Sequence, residues 1–518
     1  MGRVAESTGP DSGSGVCAIR RRLAGWPATP AYSRLSGLRY ESLQQTWSLS
    51  VLMSQPLPFV KAFVEAIDEA IRAHHSSSPG LSTIQRSWLG LCLMGVLVTN
   101  SVCWARLERA SLGRYSLAAL SWMFRHAKLA FALLLQQSVQ VVLSQHGITG
   151  GSLVVDDADK ARSKNTHRLA YVHKLKDQAS GGLLMGQPLV FLLLVTERIT
   201  VPVGFAFHVP DPALSAWRKQ DKTLKKQGVP RRRRPAKPPR NEAYPTKQAL
   251  ALRLLAQFRH HHPHITIKAV LAEALYGTAH FMDAASAIFG GVQVISQLRR
   301  NQSVRCRQRM LSVQQYFERS PGVPHTLRIR GGRDVHAQVG SARLYVGAHG
   351  KQRFVIALKY AGEEDYRYLL ASDLTWRTQD IVQAFTLRWL VEVFVQDWKT
   401  YEGWGALTKQ PGEEGSSRSL ILSLLVDHCL LLHPVQLAQL THRQPAYTVG
   451  SLIQRIKVDS LLTVIRELLD AEDPEQHFQR LADTLAKHFS LARSEKHLVG
   501  RDLGRLEPTP TLKYKAAA

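Results

Sequence analysis

The chain has 518 residues, with 67 Lys and Arg against 40 Asp and Glu, a formal net charge of +27. That length holds about two to four domains and a sizeable core, and so basic a balance points to a polyanion partner, nucleic acid ahead of an anionic membrane surface. Cys17, Cys92, Cys103, Cys306 and Cys429 are scattered with no C-x2-C pair, which argues against a zinc module or a disulfide framework and fits a reducing cytoplasm. No apolar run reaches about 18 residues, so no membrane span is expected. The N-terminus lacks a charged start followed by an apolar stretch, so no signal peptide is expected.

Residues 1–52 contain no Lys, are rich in Ser, Gly and Arg, and show no sustained period. They read as disordered, or as a non-native extension ahead of a natural start at Met53. Residues 53–150 read as a helical domain. Phe59, Phe63, Ile67 and Ile71 recur every four residues, and 91–98, 117–124 and 129–142 add apolar segments of helical length. Breaks fall at 83–87 and 111–116. Two readings stay open, a DNA-end reader of helix-turn-helix type and a plain helical cap on the core.

The pattern then changes to alternating strands and helices over 151–300. Residues 152–155 form a short apolar strand ending in Asp156-Asp157. Runs at 189–196 and 201–208 read as two more strands joined by a turn. Residues 210–247 are a long basic connection. It reads as a basic loop whose run Arg231, Arg232, Arg233 and Arg234, followed by a Pro-rich stretch, cannot bury and need not fold, and is expected to serve as a phosphate-binding arm. A helix over 248–260, a strand over 265–272 ending in Glu273, a helix over 280–289 and a strand over 292–298 follow. His260, His261, His262 and His264 read as a helix end and basic loop rather than a metal site. Trp217 and Trp376 read as anchors in loops, ahead of base stacking.

Residues 301–372 are mostly β, with strands at 326–330, 342–346, 354–360 and 368–370. One long helix is expected over 378–401, within a segment 373–410 that closes the core. The GEEGSSRS stretch reads as a flexible break. A very apolar helix over 420–432 and amphipathic helix over 445–503 make 411–518 a helical region suited to dimerisation. No internal repeat and no Rossmann or P-loop glycine pattern is present.

On the 378–401 helix, Phe385, Arg388, Glu392 and Lys399 share a stripe about 60° wide. Leu387, Leu390, Val391, Phe394 and Trp398 lie opposite, as a core face. The stripe presents one acid between two bases; the plain alternative is a solvated face with an Arg388–Glu392 ion pair. Acids at strand ends suit metal chemistry, because a sheet fixes the backbone and the next side chain points into a cleft. Asp156, Glu273 and Glu392, from two strands and a helix, can together hold two divalent ions about 3.5–4 Å apart for in-line displacement at a phosphodiester.

From Asp156 to about His433 the chain resembles the insertion-sequence DDE transposases, in the IS-four-like branch with a β insertion before the last acid. The text that carries the resemblance is VVDDADKARSK, GQPLVFLLLVTERITVPVGFAF, AVLAEALYG, RYLLASDLTWR and FTLRWLVEVFVQDWK. The branch signature Tyr-x2-Arg-x3-Glu-x6-Lys reads here Phe385-x2-Arg388-x3-Glu392-x6-Lys399. The resemblance implies an α/β fold, a ribonuclease-H-like catalytic core with a β-rich insertion, flanked by N- and C-terminal helical regions. It implies Asp156, Glu273 and Glu392 as catalytic metal ligands for Mg2+ or Mn2+, two ions. It implies double-stranded DNA partners (element ends and target), cut-and-paste chemistry, a homodimer in the DNA complex, no membrane, and a place in the bacterial cytoplasm at the nucleoid.

Arg388, Lys399, Phe385 and Tyr276 are the implied DNA contacts of the motifs. Lys160, Arg162 and Lys164 offer further phosphate contacts or form a solvated loop. Asp156 and Asp157 both suit the first acid; the family's Asp-x-Thr pattern favours Asp156, with Asp157 as its support. Two positions depart from the pattern. Glu273 replaces an Asp, moving its oxygens by about 1.5 Å, and Phe385 replaces a Tyr that could bond a phosphate. These departures define the competing expectation, a DNA-binding protein that keeps the fold and has lost catalysis. A structure-selective nuclease on the same fold is a third expectation.

Overall fold

The computed structural model describes residues 52–74, 79–162, 168–176, 181–329, 333–407 and 410–489. The expectations for residues 1–51, for Lys164 and for the chain after residue 489 fall outside them.

Among the described residues five helices come first: α1 Pro58–His74, α2 Thr83–Thr99, α3 Trp104–Ala110, α4 Leu117–His126 and α5 Phe131–Gln145. The four-residue recurrence in α1 puts Phe63, Ile67 and Ile71 in the core. α2 opens on a capping box in which Ser82 and Gln85 satisfy each other's backbone N–H groups. From Trp88 to Val98 every residue of α2 is buried. A helix enclosed on all sides cannot lie in a DNA groove, so α2 forms the centre of the bundle rather than a reading head.

The sheet begins with β1 Gly150–Arg162, β2 His173–Lys176, β3 Leu183–Val195 and β4 Thr200–Phe207. α6 Pro212–Lys226, α7 Lys247–His261, β5 Thr266–Ala272, α8 Ala279–Ile288 and β6 Gln293–Leu298 follow. Across the sheet the order is β4-β3-β1-β5-β6. β3 runs antiparallel to β1 and β4, while β5 and β6 run parallel to β1. Both faces are covered over the middle of the sheet, so the runs 153–155 of β1, 189–195 of β3 and 269–272 of β5 are apolar and buried, and successive residues feed opposite cores. Val154 and Phe191 point to one core, Leu153 and Leu192 to the other.

Next come β7 Ser303–Cys306, β8 Arg309–Ser312, α9 Val313–Arg319, β9 Val323–Ile329, β10 Arg333–Val346, β11 Lys351–Tyr360 and β12 Arg367–Ala371. The β-rich insertion continues the core sheet: β12 pairs antiparallel with β6, β11 with β12, and β10 with β11, giving a sheet of 12 strands among the described residues. The chain then runs through α10 Thr378–Thr386, α11 Trp389–Tyr401, α12 Gly412–Leu431, α13 Pro434–Thr441, α14 Val449–Leu469 and α15 Pro474–His488. α12 packs against α5 and α2, and α14 against α2, so helices from the two ends of the chain share one layer. The architecture is mixed α/β, a large mixed sheet with helical flanks. Among the described residues no single helix is long and apolar enough to cross a membrane.

Four expectations are corrected. The single helix over 378–401 is two, because backbone bonds from Leu387 N to Ala384 O and from Arg388 N to Phe385 O (both 3.1 Å) tighten the turn between α10 and α11. The GEEGSSRS stretch is the start of α12 rather than a break. Glu413 and Glu414 lie in its first turn, where the helix dipole favours them, and Gly415, Ser416 and Ser419 are buried. A Cβ on Gly415 would lie 2.7 Å from the Gln410 carbonyl oxygen, so the small residues permit a close approach.

The basic connection folds. Asp211 accepts from the Ala213 and Leu214 N–H groups to cap α6, Pro212 occupies the first turn, Trp217 Nε1 donates to the Pro235 carbonyl at 2.9 Å, and Arg234 pairs with Asp221 at 2.9 Å. Trp217 therefore anchors a structured arm. Finally, β1 does not end at Asp156-Asp157. Its partner β3 is long enough to pair with it as far as Arg162, so Lys160 and Arg162 sit on a strand rather than a loop.

Candidate active site

The parallel ladder between β1 and β5 ends at the pair Val155–Ala272. Asp156 and Glu273 are the next residue on each strand, so the two carboxylates leave the sheet side by side at the end of the ladder. Asp156 stays on β1, held by β3 alone, whereas Glu273 begins a single 3-10 turn over Ala274–Tyr276. Glu392 comes from the first turn of α11. One oxygen from each of Asp156, Glu273 and Glu392 lies within 4.8 Å of the others. The extra methylene of Glu273 does not carry its carboxylate out of the group.

Arg388 binds this group together. Its Nη1 lies 3.1 Å from Asp156 Oδ2, 3.0 Å from Glu273 Oε1 and 4.0 Å from Glu392 Oε1. Its side chain is 13 % exposed, so it faces the acids rather than solvent. The tight turn before α11 sets this guanidinium between the strand ends. Asp156 is buried, and burial, followed by the neighbouring Glu273 charge, pushes its carboxyl up to about 7. The Asp157 N–H (2.7 Å) and Arg388 oppose that rise.

The two adjacent aspartates separate cleanly. Asp157 turns away from the group: its Oδ1 accepts from the Tyr276 hydroxyl and its Oδ2 pairs with Lys247 at 2.8 Å. That bond explains Tyr276, which is 1 % exposed and so supports Asp157 instead of touching DNA, a correction to its expected role. Its neighbour Gly277 is required by space, since a Cβ there would meet the Gln297 carbonyl oxygen at 2.7 Å. Phe385 is a second correction. It is buried against the core, with the Arg388 guanidinium 6.0 Å from its ring, because the split between α10 and α11 rotates it away from the exposed side.

The outward side of α11 carries Trp389, Glu392, Val393, Gln396 and Lys399, all exposed. Trp389 is 57 % exposed and lies one helical turn before Glu392, on the same side of α11. Sequence reasoning did not single it out, although its i, i+3 spacing from Glu392 already sets the two on one side of the helix. Lys399 sits near Lys160. Burial, then the charges of Arg162 and Lys399, lower the Lys160 ammonium to about 8. Lys160 donates to the Gly405 carbonyl at 2.9 Å and lies 5.4 Å over the Trp404 ring. Lys160, Arg162 and Arg106 line a cleft of about 510 Å³. Of the arginine run, Arg231, Arg232 and Arg233 are exposed, whereas Arg234 is taken by Asp221.

The donor set of the acid group is three carboxylates, hard oxygen ligands that suit Mg2+ or Mn2+ and not a thiophilic ion. With Asp156 ionised, three carboxylates and one guanidinium leave an excess of negative charge for a dication to neutralise. The group fits such an ion. His262 is buried with its Nδ1 3.1 Å from Gln140 Oε1, so the histidine run serves the end of α7. Asp283 pairs with Lys351 at 2.7 Å and with Arg353, remote from the acid group.

Residues 116–333 match the family described as DDE superfamily endonuclease. The match takes in Asp156 and Glu273 and stops short of Glu392. No curated protein matches the chain. A solved piggyBac transposase synaptic complex with hairpin DNA is similar at 10 % identity and a TM-score of 0.37, covering 85 % of this chain and 87 % of that one.

Proposed function

We propose that the chain is a DNA transposase of the insertion-sequence type, in the IS-four-like branch, that cuts element ends and joins them to target DNA by cut and paste. The observation that carries this reading is the convergence of Asp156, Glu273 and Glu392 where the parallel ladder ends. The order β4-β3-β1-β5-β6, with β3 reversed, supports a ribonuclease-H-like core. The endonuclease match over 116–333 supports phosphodiester chemistry.

Mg2+ or Mn2+, as two ions held by the three carboxylates, would polarise the scissile phosphate and activate the attacking oxygen. The chain's own groups prepare the site. Arg388 holds Asp156 and Glu273 against their mutual repulsion. Tyr276 and Lys247 hold Asp157 aside, which leaves Asp156 facing the cluster. Lys399, the cleft cations Arg106, Lys160 and Arg162, and the exposed Arg231–Arg233 turn offer charges for backbone phosphates. Trp389 offers a stacking surface for a base beside the acids. Two ends must be held at once, so the working form is a homodimer on DNA, in the bacterial cytoplasm at the nucleoid.

The competing reading, a DNA-binding protein disabled by Glu273, is disfavoured by the position of that carboxylate inside the group. The test is cleavage of DNA carrying the flanking ends, with Mg2+ and with Mn2+, by this chain, Glu273→Asp and Glu392→Gln. Cutting by this chain and not by Glu392→Gln supports the reading. Cutting by Glu273→Asp alone makes this copy disabled, and end binding without cutting by all three hands the reading to its competitor.

A further inference from the structure

The β7–β8 hairpin departs from the usual chemistry of its turn. Cys306 pairs with Arg309, so only Arg307 and Gln308 connect the two strands. Their φ values are 45° and 68°, the left-handed region that a two-residue hairpin turn requires and that Asn-Gly normally fills. Neither residue eases that backbone, and residues held in such conformations gather at functional sites. Both are exposed, as are Arg299, Arg300, Arg305 and Arg309. Between Asp283 and Glu318 the sequence carries five arginines and no acid. Among the described residues no carboxylate pairs with any of the five. The Arg305 guanidinium lies instead 4.2 Å over the Tyr345 ring.

Strand directions place this turn. β1, β5 and β6 run parallel. From β6 every step, to β12, β11, β10 and then β7, is antiparallel. Four reversals give β7 the sense of β5, so its turn leaves the same edge of the sheet as Asp156 and Glu273. The register agrees. Ala272 is level with Ala342 through Ser296, Leu370 and Val355. Arg305 faces Tyr345, and counting three residues on along β7 and back along β10 brings Gln308 level with Ala342. The turn therefore stands level with the acids, five strand spacings away, about 24 Å at about 4.8 Å each.

We propose that this hairpin is a reading finger for the element end: its turn enters the major groove about seven base pairs from the cut, with Arg307 and Gln308 on base edges and the flanking arginines on phosphates. A two-stranded ribbon fits that groove, where Arg pairs with O6 and N7 of guanine and Gln with N6 and N7 of adenine. An arm that only neutralised phosphates would need no particular turn residues, and Asn-Gly would suit its backbone better. The inference rests on the function proposed above and adds to it the residues that read sequence.

The test is binding of the full chain, at fixed salt, to duplexes carrying the flanking ends and to unrelated duplexes of equal length. The double variant Arg307→Asn with Gln308→Gly retains a two-residue turn and suits its backbone. It should melt at a higher temperature than the natural chain, while its preference for end DNA falls by about tenfold to hundredfold. Purines replaced by their 7-deaza analogues at about six to eight base pairs from the cut lack N7, and should lower the affinity of the natural chain by about tenfold and leave that of the variant unchanged. A variant that retains its end preference overturns the proposal. So does one that weakens equally on both duplexes, which would make the turn a phosphate contact. In either case end binding and metal-dependent cutting by the natural chain leave the functional reading standing, whereas a natural chain with no preference for the ends removes both.

Discussion

Glu273 and Arg388 meet at 3.0 Å across the end of the parallel ladder, one from the loop after β5 and the other from the turn before α11. The same guanidinium nitrogen lies 3.1 Å from Asp156. It is therefore the internal counter-charge of the acid group. Arg388→Gln should lower the stability of the metal-free protein by about 1–3 kcal/mol, because two carboxylates lose a shared charged partner. The same change should tighten Mn2+ binding, since a cation that repels the ion has gone. Thermal denaturation and a Mn2+ titration read the two effects. Weaker Mn2+ binding in Arg388→Gln would instead make the arginine a support that the ion needs.

The pH dependence of metal binding follows from Asp156, whose carboxyl is raised to about 7 by burial and by Glu273. A divalent ion takes the ionised form, so below that value each ion bound displaces a proton. Mn2+ affinity should rise about tenfold per pH unit up to about pH 7 and then level off. Titrations at several pH values check the slope, and Asp156→Asn should flatten it.

A second pH effect belongs to the fold. Glu402 is fully buried, both its carboxylate oxygens lack a partner, and Asp427, also buried, has one oxygen unpartnered. Burial, then the charges of Asp427 and Asp397, raise the Glu402 carboxyl well above its usual 4.5. The folded chain keeps the proton that the unfolded chain releases, so stability falls as pH rises through the unfolded value toward the folded one. Glu402→Gln cannot ionise. Its advantage over the natural chain should be absent near pH 4 and grow by up to about 1.4 kcal/mol per pH unit above that. Melting temperatures of the two proteins between acid and neutral pH measure the difference.

Exposure of Trp389 beside the acids predicts a role in holding DNA. Trp389→Ala should weaken binding of end DNA by about 1–3 kcal/mol, the scale of one base–aromatic stack, with an unchanged melting temperature. Unaltered affinity on end DNA with a frayed or single-stranded tip would remove the stacking role.

The arginine turn makes a different prediction, because phosphate binding acts through salt. Replacing Arg231, Arg232 and Arg233 by Gln should reduce the slope of log affinity against log salt by about 0.9 for each phosphate left without its arginine. Binding should weaken alike on end DNA and on unrelated DNA. Arg234→Gln should leave the slope alone and destabilise the arm, since that residue pairs with Asp221.

Much of this protein is determined along the chain. Apolar runs bounded by acids mark β1 and β5, because strands covered on both faces stay apolar as far as their shared parallel ladder runs. Four-residue recurrence marks α1, because only a helix brings Phe63, Ile67 and Ile71 to one side. Asp156 and Glu273 could be picked out for the same reason, as charges that close apolar strand runs, and Glu392 by its place between Arg388 and Lys399 on one helical stripe. What the sequence leaves open is where each side chain points once the elements meet. Asp156 and Asp157 are equivalent as text; only the positions of Tyr276 and Lys247 draw Asp157 out of the group. Phe385 and Arg388 share a stripe on an ideal helix, yet one tightened turn buries the first and aims the second at the acids. The glycines and serines of α12 look like a break until a neighbouring segment needs the room they leave. Local pattern specifies elements because it depends on backbone period alone, whereas the site depends on contacts such as Arg388 to Asp156 and to Glu273, 232 and 115 positions apart, which only packing decides.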